Sequence, residues 1–267
     1  EPNEATHNLD LRGIEKHFTA KTKGVLFVHL YGKMAGINEV SEFCEKNNLI
    51  LVEDAAQAQG ASVNGRKSGA WGICNGFSLY PGKNLGAFGD AGIITTKDEE
   101  LKEILQSLRN YGSSEKYVND YLGFNNRLDT IQAAMLRIKL RRLDEWNAER
   151  RKIASNYFQE LKNIGDLILP KPDDENEYSV YHQFIIRTKK RDELQGFLKS
   201  QKIGTLIHYP IPPHLQKAMK FLGHQEGDFP INEAIAQSVL SLPIYPGLTE
   251  KQQDWVVRTI KAFFEGS

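Results

Sequence analysis

Apolar runs and helical periods alternate along the chain. Val25 to Tyr31 reads as a strand, Ile37 to Asn47 as an amphipathic helix with Val40, Phe43 and Cys44 inward, and Leu49 to Val52 as a second strand. Four apolar residues without polar alternation predict that this second strand is buried on both faces, and it runs straight into Glu53 and Asp54. Strand, helix, strand is the pattern of a parallel α/β sheet. Gly76 to Tyr80 and Ala91 to Thr95 predict two further strands. A short helix is expected over Leu9 to Phe18 with Asp10 as its cap, and another over Lys97 to Leu108 with Asp98 or Thr96 near its start.

Arg109 to Asn125 has no clear period and predicts a functional loop. From Asn126 a long helical period begins, with a break expected near Asn147 and Arg141, Arg142, Glu149, Arg150 and Arg151 on a solvated face. The domain boundary is placed at that break, giving a larger domain over 1–147 and a smaller α/β domain over 148–267. In the latter, Tyr181 to Arg187 and Ile203 to Tyr209 read as strands, and Asp192 to Gln201 and Thr249 to Phe264 as helices. The prolines of YPIPPH then stiffen the chain just after His208.

The candidate chemistry lies in GFSLYPGKNLGAFGDAGIITT, Gly76 to Thr96, where Lys83 sits in a glycine-rich turn between two strands. Gly82, Gly86, Gly89 and Gly92 are expected to supply positive φ and close approach to a ligand, Pro81 to set the way into the turn, and Asn84 to bond its own backbone. Alone, a lysine there is a solvated surface group. Asp54 changes that reading, because it ends a strand at the sheet edge where α/β proteins bind ligands. An amine for a Schiff base and a carboxylate that keeps a pyridine nitrogen protonated fit a pyridoxal phosphate site. His29, inside an apolar strand, reads as a core residue and not a catalyst.

Composition adds mostly exclusions. Lys plus Arg total 34 and Asp plus Glu total 34 among 267 residues, which favours neither nucleic acid nor an anionic membrane surface. No apolar run approaches a membrane span, and no signal peptide is recognisable. Cys44 and Cys74 lack metal-ligand spacing and read as buried thiols of a reducing, cytoplasmic compartment.

Four stretches in order, VEDAAQAQGA, the lysine block, LRNYGSSEKYVNDYLGFNNRLDTIQAAML and GTLIHYPIPPHLQ, resemble the DegT/DnrJ/EryC1/StrS family of nucleotide-sugar aminotransferases. The similarity is greatest to members that aminate C3 of dTDP-linked 3-oxo-6-deoxyhexoses. It implies a PLP-dependent transferase of fold type I, with a mostly parallel sheet, a homodimer with shared sites, and L-glutamate as amino donor. It also implies that the family's amino-terminal segment, about a hundred residues with a phosphate-holding turn, would precede Glu1. On this resemblance Lys83 binds pyridoxal 5'-phosphate, Asp54 the ring nitrogen, and Gln57 a place near the ring oxygen. Ser78 binds the phosphate, and Asn125 the phosphate of the partner subunit's cofactor.

Tyr80, His208 and Tyr209 then hold the sugar nucleotide, with Lys116 reaching the partner's site. Many members have histidine where this chain has Gln59. Two alternatives stay open: a 4-oxo sugar aminotransferase of the same family, and a truncated, non-catalytic dimerisation partner. A dehydratase is disfavoured because those members carry histidine in place of the Schiff-base lysine.

Overall fold

The computed structural model describes residues 1–266. Its elements run α1 (Leu11–His17), β1 (Gly24–Val28), α2 (Ile37–Lys46), β2 (Ile50–Asp54), β3 (Ser62–Val63), β4 (Arg66–Lys67), β5 (Cys74–Ser78), β6 (Gly92–Thr95), α3 (Glu99–Leu108), β7 (Ser113–Glu115) and β8 (Val118–Asn119). They continue with α4 (Thr130–Leu140), α5 (Leu143–Glu160), β9 (Glu177–Tyr178), β10 (Phe184–Arg187), α6 (Arg191–Ser200), α7 (Pro230–Ser238), β11 (Val239–Leu242) and α8 (Glu250–Glu265).

The sheet that carries the candidate site has the order β1-β2-β5-β6, with β1, β2 and β5 parallel and β6 antiparallel to β5. Register pairs Val28 with Asp54 and Asp54 with Gly76, so β1 and β2 end together and β5 runs two residues beyond them at the same edge. Side chains alternate between faces. Val25, Phe27 and Leu51 therefore share a face and pack with Ile37, Val40 and Cys44 of α2 in one core cluster. The other face carries Leu26, Val28, Ile50 and Ile94, all exposed, and Asp54 and Ser78 belong to that same face. The expectation that β2 is buried on both faces is thus corrected for the described residues, which cover its apolar run on one side only.

A second core is built from α5, α6, α8 and the antiparallel pair β10–β11, around Tyr157, Phe184, Leu194, Leu240 and Ile260. Here every strand residue is buried. Two caps follow the sequence signals, Asp10 accepting from Arg12 N and Asp98 from Leu101 N, and at the start of α8 Thr249 forms a reciprocal capping box with Gln252.

Several sequence expectations are overturned. The long helix starts at Thr130, not Asn126, and is interrupted at Arg141–Arg142, while Asn147 lies fully buried inside α5. Arg150 and Arg151 are not a solvated face. Arg150 is buried and donates to the carbonyls of Tyr181, His182 and Ile244, and Arg151 bonds Asp173 and Ser179 O. Ile203–Tyr209 is not a strand and makes only an isolated bridge, Leu206 to Ser241, on the edge of β11 away from β10. The loop after Arg109 contains the hairpin β7–β8, and Cys74 is only part-buried. Among the described residues no helix is long and apolar enough to cross a membrane, and no His/Cys/Asp/Glu cluster is suited to a metal ion.

Candidate active site

The two neighbouring acids at the end of β2 point to opposite faces and differ in every contact. Glu53 is buried; its carboxylate meets His29 Nε2 at 2.7 Å and accepts from the amides of Gly69, Trp71 and Gly72 at 2.8, 2.6 and 2.9 Å. Burial works against its charge, yet the bonds from His29, Gly72 and Gly69 hold it below the ordinary glutamate value. His29 is fully buried beside it, as a core histidine should be. Glu53 is thus a structural acid that pins the 69–72 turn. Asp54 is part-buried on the open face, with Oδ1 accepting from Ala56 N at 3.0 Å. Its other oxygen has no bond among the described residues.

Lys83 follows β5 in a turn closed by Lys83 N to Tyr80 O and Ala87 N to Leu79 O, both 2.8 Å. None of the turn's glycines takes the positive φ expected of them. Gly86 is needed for space: a Cβ there would sit 2.4 Å from Pro81 O. The Lys83 amine makes no hydrogen bond among the described residues. Its pKa is lowered by burial, and the Asp54 carboxylate partly offsets that. Lys83 in turn depresses His182 and His208, after the larger effect of their own burial. The ends of β2 and β5 and the histidines His182 and His208 therefore lie around this amine.

Around it, Gln57 is held by Tyr31 N, which donates to its Oε1 at 2.6 Å, and its Nε2 lies 3.5 Å from Tyr209 Oη. Tyr31 donates from its hydroxyl to His208 O, and His208 Nδ1 meets Ser241 Oγ at 2.6 Å. Ser78 Oγ accepts from Tyr80 N at 3.3 Å, leaving the hydroxyl proton free. Tyr80 and Tyr209 are exposed. Gln59 is turned away into the structure, donating to Ala56 O at 3.2 Å and Ser78 O at 2.6 Å.

The structure brings together Lys83, Asp54, His208 and, through Gln57, Tyr209. It does not bring Lys116 or Asn125 to them. Both are exposed on the Arg109–Asn125 segment, where Lys116 lies 5.0 Å over the Tyr117 ring and Asn125 bridges Asn110. Tyr31, Asn147 and His182 escaped sequence reasoning. Each is an ordinary residue in its own segment, and only the tertiary fold places it near the lysine. Asn84 bonds not its own backbone but Asn147, Val180 O and His182.

The donor set fits pyridoxal phosphate: a part-desolvated amine without a partner, a carboxylate with one free oxygen, and a free hydroxyl proton at the strand end. Comparison with known proteins agrees. The profile of the DegT/DnrJ/EryC1/StrS aminotransferase family matches residues 1–261. The chain belongs to this family. It is 45% identical over 97% of its length to a pleiotropic regulatory protein of Geobacillus stearothermophilus, of which it covers 70%. It is 46% identical over 98% of its length to dTDP-3-amino-3,6-dideoxy-alpha-D-galactopyranose transaminase of Aneurinibacillus thermoaerophilus, of which it covers 71%. The crystal structure of S. venezuelae DesV in complex with a ketimine intermediate superposes with a TM-score of 0.96 at 44% identity, covering 99% of this chain and 71% of DesV. The fold is that of the family's sugar aminotransferases.

Proposed function

We propose that this protein is a pyridoxal-phosphate-dependent aminotransferase that moves an amino group from L-glutamate to the C3 keto group of a dTDP-linked 3-oxo-6-deoxyhexose. The observation that carries the reading is the placement of Asp54 at the end of β2 and of Lys83 in the turn after the neighbouring β5, near enough for the Asp54 carboxylate to act on the charge of the lysine. Bound pyridoxal 5'-phosphate supplies an aldehyde that condenses with amines and a ring that takes up the electrons of a deprotonated carbon.

The chain supplies the rest. A lysine whose pKa is lowered by burial is neutral at lower pH than a free one, so Lys83 Nζ can accept the proton from the α-carbon of glutamate. The free oxygen of Asp54 accepts the hydrogen bond of a protonated ring nitrogen and favours that protonation. Ser78 donates to the phosphate, and Gln57 keeps one amide hydrogen for the ring oxygen. Tyr80, His208 and Tyr209 bind the sugar nucleotide. Asn125 and Lys116 act on the site of a second copy in a homodimer, Lys116 as a point charge for the diphosphate. A division into units over 1–147 and 148–267 completes the reading.

C3 rather than C4 is supported by the Aneurinibacillus transaminase. A second reading, a non-catalytic regulatory role, is favoured by the name of the Geobacillus relative. Mass spectrometry of products from L-glutamate and a panel of 3-oxo and 4-oxo dTDP-sugars separates them. The proposal expects amination of a 3-oxo sugar. Turnover of 4-oxo sugars alone moves the reaction to C4, and no turnover with any member favours the regulatory role.

A further inference from the structure

The residue after Lys83 is buried, and its polar atoms are committed to distant parts of the chain. Asn84 Nδ2 donates to Asn147 Oδ1 at 2.9 Å and to Val180 O at 3.1 Å, and its Oδ1 faces His182 Nδ1 at 3.1 Å. An amide oxygen only accepts, so His182 carries a proton on Nδ1. Burial, with Lys83 and Arg150 nearby, lowers its pKa to about 3 and leaves the ring neutral at physiological pH.

Asn147, fully buried in α5, donates to Gln59 O at 2.9 Å. Gln59 Nε2 donates to Ser78 O at 2.6 Å. The bonds therefore form a circuit from Asn84 through Asn147 and Gln59 back to Ser78, where the Lys83 turn leaves β5. Space along it is tight: a Cβ on Gly60 would lie 2.7 Å from Asn147 Nδ2.

We infer that Asn84 is a positioning residue, and that this amide circuit holds the Lys83 backbone at a fixed place relative to Ser78 and Asp54 so that the amine meets the cofactor aldehyde in one orientation. The inference rests on the cofactor reading proposed above. It follows from how steeply a reaction between two bound groups depends on their placement, where about 1 Å can change the rate about a hundredfold. A lysine on a flexible stem needs a fixed base more than a short side chain does.

Two ligands distinguish positioning from plain structural support. Pyridoxal 5'-phosphate bonds covalently to Lys83, whereas pyridoxamine 5'-phosphate has the same ring and phosphate but no aldehyde. Asn84→Ala is expected to slow formation of the visible Schiff-base band about tenfold or more. Its Kd for pyridoxamine 5'-phosphate should stay within about threefold of wild type, and its melting curve should remain cooperative. Asn147→Ala breaks the circuit from α5 without changing a residue of the lysine turn, and should show the same split, smaller. It carries the test where Asn84→Ala does not fold. Equal losses for both ligands, or a lowered melting temperature with an unchanged rate of band formation, overturn the inference. A wild-type protein that forms no band takes down the cofactor reading and this inference together. A normal wild-type band with an unchanged band in the variants takes down this inference alone.

Discussion

Glu53 and Asp54 are adjacent acids on one strand, and the two faces of the sheet give them opposite roles. On the covered face, Glu53 is enclosed by His29 and three backbone amides, beside Phe27 and Leu51 packed on α2. On the open face, Asp54 keeps a free oxygen among the described residues, in line with Ser78 and with the exposed Leu26, Val28, Ile50 and Ile94. A carboxylate whose bonds are all made inside the protein stabilises it. One with a bond still to make is available to a ligand.

The largest effect that sharpens this comparison is a crossed pair of variants. Asp54→Asn should lower turnover by about a hundredfold or more, the scale of losing a positioned proton-transfer or charge-stabilising group, with little change in melting. Glu53→Ala should do the reverse, destabilising by about 3–5 kcal/mol because three amides and His29 lose their acceptor. Chemical denaturation and steady-state kinetics on both variants read the cross, and equal effects on stability would break the comparison.

Next in size, Phe27→Ala on the covered face should cost about 3–5 kcal/mol, whereas Leu26→Ala, already 59% exposed, should cost under about 1 kcal/mol. Similar losses in urea unfolding would show that the open face is not open in solution.

The smallest effect is acid sensitivity. The pKa of Glu53 is lowered by folding from its ordinary value of 4.5, so below that pH the unfolded chain binds the proton first. Its contribution is complete above about 4.5 and is lost as pH falls through the lower folded value, with a slope of at most about 1.4 kcal/mol per pH unit. Glu53→Gln should flatten this limb of the stability curve. An unchanged limb would mean the carboxylate is not held charged.

Much of this was legible beforehand, for physical reasons. Local periodicity specifies β1, α2 and β2, residue type marks Asp10 and Asp98 at their helix starts, and a lysine among glycines between two strands marks the turn. What stayed hidden depends on long-range partners. An apolar run at 49–52 reports that a face is suited to burial, not that anything covers it. Arg150 looks like a surface residue until the carbonyls of Tyr181, His182 and Ile244 enclose it. Asn84 looks like a turn former, and its partners lie 63 to 98 positions away. Lys116 and Asn125 carry roles by resemblance alone, since their exposed segment shares no contact with Lys83 among the described residues.

The central claim is that the Lys83 amine captures the cofactor, and borohydride reduction of protein loaded with pyridoxal 5'-phosphate, followed by peptide mass spectrometry, tests it most directly. The account predicts that the visible band is bleached and that the reduced adduct lies on the peptide containing Lys83. No adduct, or an adduct on another lysine with Lys83 unmodified, would contradict it.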